Sequence, residues 1–239
     1  MALIVYPLIN HRSRWRCLNL LILLFCSVAS IAQPAERYRP DSPNWMKFVA
    51  AINVPTLKHE AGRTRHYREQ CSATLINHDH ARQDQWLITA WHCIEHYRDL
   101  SQTIEVRFPH AGLNDQYYTA RVARSGERLE RDWALLRLEQ RLPPHLSSPL
   151  TLTAASPSLL ATAAGYSKHL REGRERLSYD SNCRWVSAQE WQDCFTSKGT
   201  SGGPVVQTIA DEPTIVGIIS QGNGEGMTLT FPVDLLPPF

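Results

Sequence analysis

This chain of 239 residues lacks sustained helical periodicity, since apolar residues almost nowhere recur at the three- and four-residue spacing of an amphipathic helix, and that excludes a helical bundle. It has no internal repeat and no low-complexity segment, and a hydrophobic share of 43% is ample for a core, so a disordered chain is excluded too. No basic tract interleaved with aromatics is present, which argues against nucleic acid as a partner. The apolar run from Leu18 to Val28, broken by Asn19, Cys26 and Ser27, falls short of the ~20 residues that span a bilayer as a helix. A membrane anchor is therefore disfavoured.

What the N-terminus has instead is the layout of an export signal. Arg12, Arg14 and Arg16 precede the apolar run, and Ser30-Ile31-Ala32 closes it before Gln33, so cleavage is expected after Ala32. Residues 1–32 are read as a signal peptide and the protein as secreted or periplasmic, with no stable membrane association after signal removal. That removal takes three arginines and no acid from a formal charge of +2, leaving −1. It also takes Cys17 and Cys26. The remaining Cys71, Cys93, Cys183 and Cys194 are an even set that an oxidising compartment would join as two disulfides, in any of three pairings. Residues 33–45 are polar and proline-bearing and read as a tail or short pro-segment.

Short runs with strand character then follow one another between turn signals: 48–54, 70–76, 86–89, 104–108, 117–123 and 133–138. Beyond Arg141-Leu142-Pro143-Pro144-His145 they resume at 159–165, 177–182, 204–207, 214–220 and 227–231. Many short strands at this spacing indicate an all-β sandwich or barrels, with the double proline as the linker between two halves.

Three segments carry chemistry. Lys198-Gly199-Thr200-Ser201-Gly202-Gly203-Pro204 displays a serine on a run whose glycines let backbone approach closely. A serine hydroxyl is a poor nucleophile at neutral pH, so this means catalysis only if a base and a group to orient it are also supplied. Leu87-Ile88-Thr89-Ala90-Trp91-His92-Cys93 ends an apolar strand on a histidine, and Asp132-Trp133-Ala134-Leu135-Leu136 begins one on an acid. Each segment alone reads as ordinary: a loop, a structural histidine, a strand-edge aspartate.

Together they resemble the chymotrypsin-like, or trypsin-like, serine peptidase family, in the order His, Asp, Ser, which differs from the orders of subtilisins and α/β-hydrolases. Cys71-Ser72-Ala73-Thr74-Leu75-Ile76, Ala164-Gly165-Tyr166 and Ile215-Val216-Gly217-Ile218-Ile219-Ser220 extend the resemblance from Phe48 to Leu235. It implies an all-β fold of two six-stranded antiparallel barrels, residues 46–140 and 146–236 of a peptidase domain spanning 46–239, with the active site in the cleft between them. It implies a polypeptide substrate, no cofactor, no metal and a monomer. The catalytic residues would be His92 as base, Asp132 as its orienter and Ser201 as nucleophile. The N–H groups of Gly199 and Ser201 would form the oxyanion hole, at about 3–4 kcal/mol per donor. The implied disulfides are Cys71–Cys93 and Cys183–Cys194.

The sequence departs from the family pattern at points that bear on specificity and activation. Thr200 stands where digestive members carry an aspartate that receives a newly cut N-terminus, and no Arg or Lys followed by Ile-Val-Gly-Gly precedes the domain. Phe195 occupies the position that lines the base of the primary pocket, where arginine- and lysine-cleaving members have aspartate. Ile219 replaces the histidine of glutamate-cleaving members. Thr196 and Gly226 are expected in the pocket wall, Lys198 beside the oxyanion glycine, and Ser220, Gln221 and Gly222 along the substrate backbone as an added strand. Two other readings compete. His92-Cys93-Ile94-Glu95-His96 fits the H-x-x-E-H signature of zinc peptidases, with His78 and His80 nearby, and the fold also hosts non-catalytic binding modules.

Overall fold

The computed structural model describes residues 35–76, 85–113, 116–146, 149–168 and 175–239. The expected signal peptide, and His78 and His80, lie outside the described residues.

Each of the eleven expected runs becomes a strand. In the first half these are β2 (Val49–Glu60), β3 (Arg63–Ile76), β4 (Trp86–Thr89), β5 (Ile104–Arg107), β6 (Tyr118–Ser125) and β7 (Ala134–Leu138), preceded by a short β1 (Glu36–Arg37). They close into a barrel in the order β2-β3-β4-β7-β6-β5. Ile104 and Val106 of β5 are buried while Glu105 and Arg107, which alternate with them, are half-exposed, the period-two pattern that seats one face on a core. Ile52, Leu75, Leu87, Phe108 and Leu135 fill the same interior.

The second half holds β8 (Thr151–Leu152), β9 (Ala161–Lys168), β10 (Glu175–Ser187), β11 (Glu190–Gln192), β12 (Pro204–Ile209), β13 (Glu212–Gly222) and β14 (Met227–Pro232). The antiparallel path β9-β10-β11-β14-β13-β12 returns to β9 and closes a second six-stranded barrel, with β1 added to β10 and β8 parallel to β13. Its interior is built on small residues around one large one: Ala161, Ala163, Val205, Val216 and Ile219 against Trp191, whose indole N–H donates to Thr230 Oγ1 at 3.1 Å. Where the barrels meet, Met46, Val49 and Ala51 pack on Ala164, Tyr166, Leu177 and Tyr179.

Three features differ from the sequence reading. The β2–β3 hairpin extends past Val54 and Gln70 to a two-residue turn at Ala61 and Gly62, both in the left-handed region with φ of 49° and 74°. Pro55 and a stretch of charged residues on both faces hide these strand ends from a periodicity argument. β11 is three residues long, too short for any pattern. The 33–45 segment is no free tail over its described part, because Glu36 and Arg37 pair with Tyr179 and Ser178, the Tyr38 amide donates to Leu177 O at 2.9 Å, and the Tyr38 ring lies 3.9 Å from that of His110. No helix among the described residues is long and apolar enough to cross a membrane.

One side chain holds the segment between β8 and β9. Gln207 on β12, 1% exposed, accepts from the Ser156 amide at 2.8 Å and donates to the carbonyls of Ser156 and Leu159, each at 2.9 Å. Gln207→Leu keeps the volume and strands the Ser156 amide and the Leu159 carbonyl, while Ser156 O keeps the Leu159 amide at 3.2 Å, so urea unfolding should show a loss of about 1–3 kcal/mol, given the 1–3 kcal/mol cost of each unsatisfied buried group and partial rewetting.

Candidate active site

The pairing of β4 with β7 puts Thr89, the last residue of one, opposite Ala134, the first of the other. Whatever follows β4 therefore lies beside whatever precedes β7, and those are His92 and Asp132, which are forty positions apart in sequence. His92 sits in a 3-10 turn, Trp91–Cys93, immediately after β4. The Asp132 side chain receives three hydrogen bonds: the His92 backbone amide reaches Oδ1 at 2.9 Å, while His92 Nδ1 at 2.8 Å and the Ser220 hydroxyl at 2.5 Å reach Oδ2. A carboxylate only accepts, so Nδ1 carries a proton, and in the neutral ring Nε2 is the acceptor.

Asp132 is 1% exposed. Burial pushes its pKa upward, but the hydrogen bond and charge of His92, then the Ser220 hydroxyl and the His92 amide, outweigh that effect and hold the carboxyl below its ordinary value. Ser220 reaches Asp132 because β13 bulges there: Ile219 pairs with Thr230 and Gln221 with Leu229, leaving Ser220 as the extra residue, turned inward. Sequence reasoning put Ser220 on the substrate; the structure adds this contact with the acid, for which no local signal exists.

Ser201 lies in the turn that leads into β12. The turn is inserted against the first barrel: the Ser72 amide donates to Ser201 O at 2.8 Å, the Gly202 amide to Ile219 O at 2.8 Å, and the Gly203 amide to Thr200 O at 2.9 Å. Gly202 has φ of 81°, and a β-carbon there would fall 2.1 Å from Thr89 Oγ1 and 2.2 Å from Ser72 O. No other residue fits. Gly199 has φ of 99°, a left-handed backbone that glycine adopts without strain. Cys93 Sγ lies 3.9 Å from His92 Nε2 and 3.8 Å from Ser201 O, so the imidazole edge and the serine backbone flank one sulfur atom. Among the described residues Ser201 Oγ makes no hydrogen bond, to His92 or to any other group.

The disulfides are Cys71–Cys93 and Cys183–Cys194, with Cα atoms 6.2 Å and 4.4 Å apart. The first ties β3 to the histidine turn and the second ties β10 to the irregular segment that leads from β11 into the serine loop. Phe195, next along that segment, is held by its amide, which donates to Oδ2 of the buried Asp180 at 2.9 Å, and its ring sits against Gly226, where an added β-carbon would meet Cζ at 3.1 Å. Thr196 is buried and its hydroxyl lies 2.7 Å from that of Thr228, which donates to Cys194 O at 2.9 Å. The Thr228 proton is thereby committed, so Thr196 is the donor between the two and can only accept from elsewhere. Lys198 is exposed, as are Gln221 and Gly222, and pairing with β12 ends at Ile218, so Gln221 and Gly222 have only β14 beside them. Asp180 and the second role of Ser220 are the residues that sequence reasoning missed.

The H-x-x-E-H segment does not form a helix. His92 and Cys93 belong to the 3-10 turn, Ile94 is buried, and Glu95 and His96 face solvent and each other at 4.0 Å. Cys71, His92 and Cys93 bring possible ligand atoms within 4.8 Å, but both sulfurs are spent in a disulfide and Nδ1 is bound to Asp132. The donor set does not suit zinc.

Because the Asp132 pKa is lower folded than unfolded, the unfolded chain binds more protons between the two values. Its stabilising contribution is complete above the ordinary aspartate range and disappears as pH falls through the depressed folded value. The unfolding free energy of the wild type should therefore drop more steeply than that of Asp132→Asn as acid is added below about pH 4, read by urea titration.

A sequence profile of the trypsin-like peptidase domain matches residues 71–218, from the first cysteine of the histidine-side disulfide to the middle of β13. No curated protein matches the chain. The profile match spans more than half of the sequence, and it runs through the end of β4, the start of β7 and the turn before β12, which the two closed barrels bring to one place. The chain belongs to the trypsin-like peptidase domain family.

Proposed function

We propose that this chain is an exported, monomeric serine endopeptidase in which His92 is the base, Asp132 its orienter and Ser201 the nucleophile. The observation that carries this reading is the His92–Asp132 pair, a buried carboxylate committed to one imidazole nitrogen and leaving the other free on the side of the serine turn. Among the described residues Ser201 Oγ has no hydrogen-bond partner, and its bond with Nε2 forms when substrate fills the cleft, as catalytic hydrogen bonds commonly tighten on binding. Ser201 Oγ attacks the scissile carbonyl carbon, and Nε2 takes the proton and returns it to the leaving amine. Water then attacks the acyl-enzyme by the same proton route in reverse. Asp132 holds the tautomer and stabilises the imidazolium. The N–H groups of Gly199 and Ser201 receive the oxyanion.

The substrate is extended polypeptide, pairing with Gln221 and Gly222, which have a strand on one side only. Phe195 closes the primary pocket with an apolar ring against Gly226, and Thr196 offers an acceptor in place of a charge. Such a pocket takes small or medium uncharged side chains. The two disulfides suit an oxidising compartment, in line with the signal read at residues 1–32.

A fluorophosphonate probe should label Ser201 in the wild type and not in Ser201→Ala, by peptide mass spectrometry. An unlabelled, correctly folded wild type would sink this reading. Asp132→Asn should lower kcat by about 10⁴-fold with KM nearly unchanged. In a peptide library, cleavage should fall after uncharged residues, and a dominant preference for arginine would overturn the role given to Phe195.

A further inference from the structure

Ser72 lies one residue after a disulfide cysteine on β3, in the barrel that does not carry the nucleophile, and it is 0% exposed. All four of its hydrogen-bonding functions are used, and three cross to the second barrel. Its amide donates to Ser201 O at 2.8 Å. Its hydroxyl donates to Gly199 O at 3.0 Å and accepts from the Tyr166 amide on β9 at 2.8 Å. Its carbonyl accepts from the Thr89 hydroxyl at 2.7 Å, three residues before His92. One buried residue thus touches the backbone at both ends of the Gly199–Ser201 segment and the strand that leads to the base.

The hydroxyl is the part that backbone alone could not supply. Gly199 has no side chain and a left-handed φ of 99°, so nothing intrinsic to it prevents the adjoining peptides from turning. Anchoring its carbonyl fixes the plane of the Gly199–Thr200 peptide. The rest of the loop is self-contained: the Thr200 amide and hydroxyl both turn back to Ser197 O, at 3.1 Å and 2.7 Å. Thr200 therefore reaches no group outside the loop through these atoms; Ile219 holds the loop from Gly202 onward, and the Gly199 and Ser201 carbonyls are held from outside by Ser72.

Resting on the serine peptidase reading above, we propose that Ser72 is a positioning residue whose hydroxyl holds the Gly199 peptide so that the oxyanion-hole N–H groups are aimed before substrate arrives. Ser72 touches no substrate. Its removal leaves the His92–Asp132 pair intact, since neither residue bonds its hydroxyl.

The test compares Ser72→Ala and Ser72→Gly with the wild type in three measurements: the rate of fluorophosphonate labelling of Ser201, kcat and KM on one peptide substrate, and the downfield proton resonance of His92 Nδ1–H. Folded protein is quantified by circular dichroism, so that rates are per folded molecule. Losing one preorganised oxyanion donor costs about 10²–10³-fold, and misaiming one should cost somewhat less. Labelling and kcat should thus fall about 10- to 100-fold, with KM within about threefold and the His92 resonance unmoved. A folded variant that labels at the wild-type rate overturns the proposal, however much thermal stability it has lost. So does a fall in rate accompanied by loss of the His92 resonance, because the damage would then lie at the base. If neither variant folds, the hydroxyl serves the fold and the proposal is equally wrong. A wild type that fails to label would instead remove the peptidase reading itself, so the two failures are separable.

Discussion

Two barrels share one turn, and there is no room in it for a side chain. Gly202 passes so close to β3 and β4 that a β-carbon would sit 2.2 Å from Ser72 O and 2.1 Å from Thr89 Oγ1, well inside atomic contact. The segment that carries Ser201 belongs to the second barrel by chain order and to the first by contact. Its Gly199 and Ser201 carbonyls accept from Ser72 on one side, and its Gly202 amide donates to Ile219 O on the other. This close fit puts the serine next to a histidine that arrives from a different barrel. The packing is steric before it is electrostatic, and it tolerates little displacement because protein interiors pack at near-crystalline density.

Electrostatics then organise what sterics assemble. A carboxylate 1% exposed is costly unless paired, and Asp132 is compensated by an imidazole, a backbone amide and the inward-turned hydroxyl of Ser220. Each of those donors depends on a different structural device: the 3-10 turn after β4, the adjacency of β4 and β7, and the bulge in β13. The disulfides hold the two segments that have least regular structure of their own. Cys71–Cys93 secures the histidine turn to β3, and Cys183–Cys194 secures the approach to Phe195, at about 2–4 kcal/mol each in the chain-entropy picture.

Legibility followed the strength of the local pattern. Trp86–Thr89 was readable to the residue because four apolar or β-branched residues stand between polar stretches and a histidine turn. The outer half of the β2–β3 hairpin was not, because Leu57 to Arg68 is exposed or half-exposed on both faces, and alternation exists only where one face is buried. Its turn gave no signal either. Ala61-Gly62, like Ala210-Asp211 between β12 and β13, places a non-glycine residue at positive φ where Asn or Gly at the first position would have announced it. The site divides the same way. His92, Asp132 and Ser201 stand in motifs with recognisable neighbours, whereas Asp180, Ser72 and the inward turn of Ser220 act through contacts 15, 127 and 88 positions distant.

Strand-forming runs, the even cysteine set, the three chemical segments and their order are properties of neighbouring residues, and the sequence determined them without reference to a fold. Which strands pair, which of three disulfide combinations forms, how far the hairpin reaches and which hydroxyl supports which backbone group are decided only when the barrels close. Those outcomes depend on distances between segments far apart in the chain, and such distances exist only once the two halves have packed.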